Sequence, residues 1–192
     1  MPDPLLNPLT DLPLNEQLQL LIPTGLLVML GLYFLCRTPL RDWFQERRIA
    51  RATRRLGARR MKNLRLPDGV DGEVLIDYLL LGREAILVVS VKRYDGLIFG
   101  GERTDQWTQV INNRSYKFPN PDQHLRRQVN AVRLLAPDAP VTGVHLFTSG
   151  ARFPKDRPAS VILMEEINGR PRYSDIPAPL RAAWETLVAA CA

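Results

Sequence analysis

Cysteine and histidine are nearly missing from this chain, with two of each in 192 residues. Cys36 closes an apolar run and Cys191 stands far from it in sequence, so they supply no disulfide framework and no thiolate metal site, a usage that suits a reducing compartment. His124 and His145 lack partners at metal-ligand spacing and read as a surface residue and a strand residue. Aromatic side chains make up 7% of the chain and are scattered, which excludes a base-stacking platform. Gly100-Gly101 has no strand-to-helix context, which excludes a phosphate-binding glycine loop. Lysine and arginine are absent from residues 1–36, where Asp3, Asp11 and Glu16 are the charges present.

Charge of either sign is absent from LQLLIPTGLLVMLGLYFLC, residues 18–36. A helix of that length roughly matches the ~30 Å hydrocarbon layer at about 1.5 Å per residue. A signal peptide would have a basic flank in front and a small-residue cleavage site behind. This run has acids in front and Arg37, Pro39 and Arg41 behind. A core helix would show polar positions every 3.6 residues, and none occur here. The sequence therefore predicts a transmembrane helix over 18–36 after a short extracytoplasmic N-terminus, 1–17. By the positive-inside rule it predicts a single-pass inner-membrane protein with its C-terminal domain in the cytoplasm.

The formal net charge of +6 has one source. Residues 37–66 hold eleven basic side chains against Asp42 and Glu46, and the remainder is balanced. Helix formers run up to Gly57 with a stop near Pro67, which predicts a basic juxtamembrane helix over 37–66 leading into a domain over 45–192. On that helix Arg41, Arg47, Arg48, Arg51, Arg54, Arg55, Arg59 and Lys62 fall within an arc of about 140°. Ile49, Thr53 and Leu56 lie opposite, and Glu46 falls near the apolar side, facing the core. Such a basic face suits anionic lipid head groups, or the phosphates of a nucleic acid.

Two charges stand inside apolar runs: Asp77 in VLIDYLLL (74–81) and Lys92 at the end of AILVVSVK (85–92). An unpartnered charge in such a strand costs several kcal/mol, so two on neighbouring strands mark a candidate site. Strands are also expected over 97–101, 141–147 and 160–166, with helices over 122–135 and 179–190. The order is helix, three strands in meander, helix, strand, strand, helix, an α/β domain with its central strands covered on both faces. Alternation puts Ser90 and Lys92 on one face of the second strand, where Asp77 and Glu46 can join them. Two carboxylates, a hydroxyl and an ammonium suit metal-assisted phosphodiester hydrolysis, in which carboxylates hold Mg²⁺ and lysine faces the phosphate.

From Ile76 through Val91-Lys92, Gly96-Leu-Ile98-Phe-Gly100, Trp107 and Phe118-Pro-Asn-Pro-Asp-Gln123 to VTGVHLFTSGARFP, the chain resembles the nuclease-related domain, or NERD, family. The likeness covers about residues 45–166. It implies a restriction-endonuclease-like fold, possible Mg²⁺-dependent cleavage of DNA or RNA, Asp77 and Lys92 as strand residues of the site, Glu46 as an acid from the opening helix, and Gln123 at the start of the next helix. Glu46 and Asp77 would be the metal ligands, and Asp77, Ser90, Lys92 and Gln123 the catalytic positions. Ser90 departs from the family, which has glutamate there. A hydroxyl in place of a carboxylate removes one negative charge from a cation site. The alternative reading is therefore a catalytically degenerate nuclease fold that binds nucleic acid or protein at the membrane.

Overall fold

The computed structural model describes residues 14–69, 72–155, 157–169 and 171–191. The chain divides into two compact units, residues 1–47 and 48–192. Helix α1 (Leu14–Leu56) contributes to both. Its backbone is helical throughout 18–36, where the sequence predicts a spanning helix. Most side chains of that stretch, and all of residues 1–13, lie outside the described residues. Among the described residues no helix is long and apolar enough to cross a membrane.

In the second unit a five-stranded sheet runs in the order β1 (Arg59–Pro67), β2 (Glu73–Leu81), β3 (Ile86–Lys92), β7 (Val141–Phe147), β9 (Val161–Leu163). β1, β2 and β3 form an antiparallel meander, while β7 and β9 extend it in parallel. A four-stranded sheet has the order β6 (Arg114–Pro119), β5 (Gln106–Ile111), β4 (Gly96–Phe99), β8 (Ala151–Arg152). Helices α2 (Asp122–Leu135) and α3 (Ala178–Ala190) complete the unit.

The apolar runs become the buried strands. One face of the large sheet packs Tyr78, Leu80, Val89, Val144 and Leu146 against Ile49 and Ala52 of α1. Its other face packs Leu79, Leu81, Ile86 and Val88 against Leu125, Val129 and Val132 of α2 and Leu180, Trp184 and Leu187 of α3. The central strands are thus covered on both sides, as their near-continuous hydrophobic composition demands. A third core joins the small sheet, through Ile98, Trp107 and Ala151, to Phe147 of β7 and Val161 of β9, with Phe118 and Phe153 against it.

Three expectations are corrected. The basic helix stops at Leu56, and Arg59–Pro67 is strand β1, where Arg59, Arg60, Lys62 and Arg65 are exposed and Leu66 is buried. Arg59 and Lys62 therefore leave the helical arginine face, although Arg48, Arg51, Arg54 and Arg55 remain exposed and Ile49 and Thr53 buried opposite them. The expected third strand of the meander leaves the large sheet as β4, and Gly96 begins it with φ +87° and no room for a side chain, since the Val110 carbonyl oxygen occupies the place a Cβ would take. The segment 160–166 is strand only over Val161–Leu163, and Met164–Glu166 forms a 3-10 turn.

Candidate functional site

Asp77 stands where β2 is distorted. Leu79 and Leu81 share one core with Val74 and Ile76, so the alternation of the strand slips by one residue across Asp77 and Tyr78. Asn63, which faces Asp77 in the register set by Lys62↔Tyr78 and Leu64↔Ile76, adopts φ 55°. On the other side the β2–β3 ladder ends at Tyr78↔Val89. Beyond that pair the Asp77 carboxylate takes over, its Oδ2 accepting the Val91 N–H at 2.7 Å. The half-buried acid is therefore satisfied by backbone, which explains how an apolar strand tolerates it.

Lys92 closes β3, half-buried, and its main-chain carbonyl accepts the Thr148 N–H at 3.0 Å. Burial holds its ammonium below the ordinary lysine range, and the nearby Asp77 carboxylate opposes that shift in part. Ser90, two residues earlier, is 2% exposed. Its neighbour across the parallel ladder is His145 of β7, so the two side chains share a face. Asp77, in the middle of β2, thus meets the last residues of β3 where the β2–β3 ladder stops, bonded to the Val91 N–H and within electrostatic range of Lys92, while Ser90 lies two residues before Lys92 on β3. Gln123 is exposed in the first turn of α2. Glu46 belongs to the other unit and is exposed, not core-facing, because the first buried position of α1 among the described residues is Ile49.

A second layer escapes the sequence reading. His145 is fully buried, and its Nε2 lies 2.9 Å from Oδ1 of Asp122, the first residue of α2. The same oxygen accepts a hydrogen bond from the Ser160 hydroxyl at 3.1 Å. Burial drives the His145 pKa down to about 4, although the hydrogen bond to Asp122 pulls the other way. The imidazole is neutral at pH 7, with Nε2–H donating to the carboxylate, which leaves Nδ1 as a buried acceptor without a partner among the described residues. His124, exposed on α2, also lies within electrostatic range of the site. Its pKa is lowered by burial first, then by Lys92 and Arg127, against a raising effect from Asp77. The signal for His145 was a polar residue in the apolar run VTGVHLF, the same anomaly that exposed Asp77 and Lys92.

A family model for the nuclease-related domain matches residues 41–148. The chain belongs to the nuclease-related domain family. That match spans Asp77, Ser90, Lys92, Gln123 and the second-layer pair Asp122 and His145. An uncharacterized protein of Bacillus anthracis is 32% identical over 60 residues, 31% of this chain and 28% of the relative. The chain thus matches under a third of that relative's length. No solved structure matches.

Members of a nuclease-related domain family raise the question of a divalent ion. Mg²⁺ takes oxygen ligands, among them one or two carboxylates supplemented by water and substrate phosphate. Here Asp77 has one oxygen committed to the Val91 N–H, and Ser90 contributes no charge. Among the described residues no three His, Cys, Asp or Glu side chains cluster closely enough to hold a metal ion. The acid that this cluster itself offers such an ion is Asp77, one carboxylate beside the hydroxyl of Ser90.

Proposed function

We propose that this nuclease-related protein is a nucleic-acid-binding module on a restriction-endonuclease-like fold, held at the cytoplasmic face of a membrane by residues 18–36. Its site keeps the acid and lysine of a phosphodiester-processing centre without the second carboxylate. The observation that carries this reading is the Asp77 carboxylate bound to the Val91 N–H where the β2–β3 ladder stops, within electrostatic range of the half-buried Lys92 ammonium, with a buried hydroxyl, Ser90, on the same strand as Lys92. Lys92 supplies a positive charge toward a phosphate, and Asp77 orders the backbone at Val91 that precedes it. The exposed arginines Arg48, Arg51, Arg54 and Arg55 support contact with anionic head groups, at ~1 kcal/mol each near the surface.

Metal-dependent cleavage is the second reading, favoured by the retained Asp77 and Lys92. The test incubates full-length protein in detergent micelles with labelled DNA and RNA in Mg²⁺ or Mn²⁺, beside Lys92→Ala. Binding without cleavage above the Lys92→Ala background is the expected result. Cleavage that disappears in Lys92→Ala would replace the binding module with a nuclease.

A further inference from the structure

Helix α2 is fixed across the large sheet at two points. Asp122 holds His145 of β7 at 2.9 Å, and Gln128 donates through Nε2 to the Leu75 carbonyl of β2. Those six residues of helix advance about 9 Å, and β7 and β2 lie two strand spacings apart, about 9.6 Å, with β3 between them. The turn of α2 between the anchors therefore crosses over β3, the strand that ends in Lys92. His124 lies four residues before Gln128 and three before Arg127, so all three project from neighbouring positions on that turn.

The charges that bear on the His124 imidazole are Lys92 and Arg127, both cationic, and Asp77, whose Oδ2 already accepts the Val91 N–H. His145 beneath is neutral and fully buried. His124 and Arg127 are exposed and Lys92 half-buried, so cationic donors line an open surface from the sheet outward. Building on the nucleic-acid reading above, we propose that His124 and Arg127 hold the phosphate of the site, closing on a phosphodiester from the helix while Lys92 meets it from the sheet. Arg127 presents a planar fork suited to two phosphate oxygens. Partial burial and then its cationic neighbours lower the His124 pKa, and an arriving phosphate anion opposes that shift and favours the imidazolium.

The experiment is fluorescence anisotropy of a fluorescein-labelled DNA duplex with the full-length chain in detergent micelles over a salt series. Arg127→Ala is expected to weaken binding by roughly tenfold and to reduce the slope of log affinity against log salt by about 1, the signature of one lost phosphate contact. His124→Ala is expected to weaken it several-fold, while Arg152→Ala on the small sheet leaves affinity and slope unchanged. Both α2 positions are exposed, so the variants retain the fold. If wild-type protein binds and both variants match it in affinity and slope, the assignment to α2 falls and the nucleic-acid reading stands. Absence of wild-type binding overturns both. If Arg127→Ala lowers binding to phosphatidylserine vesicles and leaves duplex binding intact, the phosphate is a lipid's and the proposal is also overturned.

Discussion

His145 makes the stability of the domain depend on pH in a way that can be isolated. The imidazole is fully buried and held at a pKa of about 4, whereas in the unfolded chain it takes the ordinary value near 6.5. Below that value the unfolded chain binds a proton that the folded one refuses, so stability is complete above about pH 6.5 and falls as pH drops toward 4. The difference amounts to roughly 3 kcal/mol by pH 4, a large part of the 5–15 kcal/mol typical of a domain. Other groups titrate in this window, so the measurement is differential. Urea unfolding of wild type and His145→Gln at a series of pH values from 7.5 to about 4 would give two curves. The glutamine variant should be less stable at neutral pH, because its side chain replaces the Asp122 contact imperfectly, and the gap should close or reverse on acidification. Parallel curves across the range would refute the placement of a neutral, buried imidazole at this position.

Asp122→Ala should destabilise by roughly 3 kcal/mol, since it removes the acceptor of both His145 and Ser160 and leaves the buried ring without its partner, and Asp122→Asn should cost less; chemical denaturation measures both. Asp77→Ala should cost about 1–3 kcal/mol by stranding the Val91 N–H, and NMR titration should find the Lys92 ammonium at a still lower pKa once the opposing carboxylate is gone. Gly100→Ala should destabilise by about 1–3 kcal/mol, because the added methyl would clash with the buried Trp107 ring; a lowered midpoint of thermal unfolding checks it. Ser90→Glu should bind Mn²⁺ more tightly than wild type by calorimetry while losing stability, as the added charge enters a position 2% exposed.

The strands and helices legible in the sequence are those whose hydrophobic pattern overrides everything else: β2, β3, β7, α2 and α3. β5 and β6 escaped because their pattern is polar, with Arg114, Ser115, Tyr116 and Lys117 all exposed. Their turn did carry a signal in Asn112-Asn113, which take φ 49° and 60°, the left-handed conformations asparagine tolerates best in tight hairpins. β1 was hidden by helix-forming arginines and lysine, whose local preference gives way to the ladder with β2. In the site, Asp77, Ser90 and Lys92 were legible because a charge or hydroxyl in an apolar strand is conspicuous. The Asp122 and His145 pair was not, since the contact spans 23 residues and depends on where α2 lands. Glu46 was misplaced because helical periodicity gives the direction of a side chain but not where along the helix the core begins.

β1 is an outer strand of the large sheet, paired among the described residues with β2 alone, and its nine residues carry Arg59, Arg60, Lys62 and Arg65, all exposed. A long strand with an open row of main-chain donors and acceptors invites a second copy to extend the sheet. Arg60 is drawn back to α1, where its guanidinium donates to the Ala50 carbonyl, whereas Lys62 and Arg65 leave exposed positive charge along the open edge, and like charges on an identical edge would oppose that pairing.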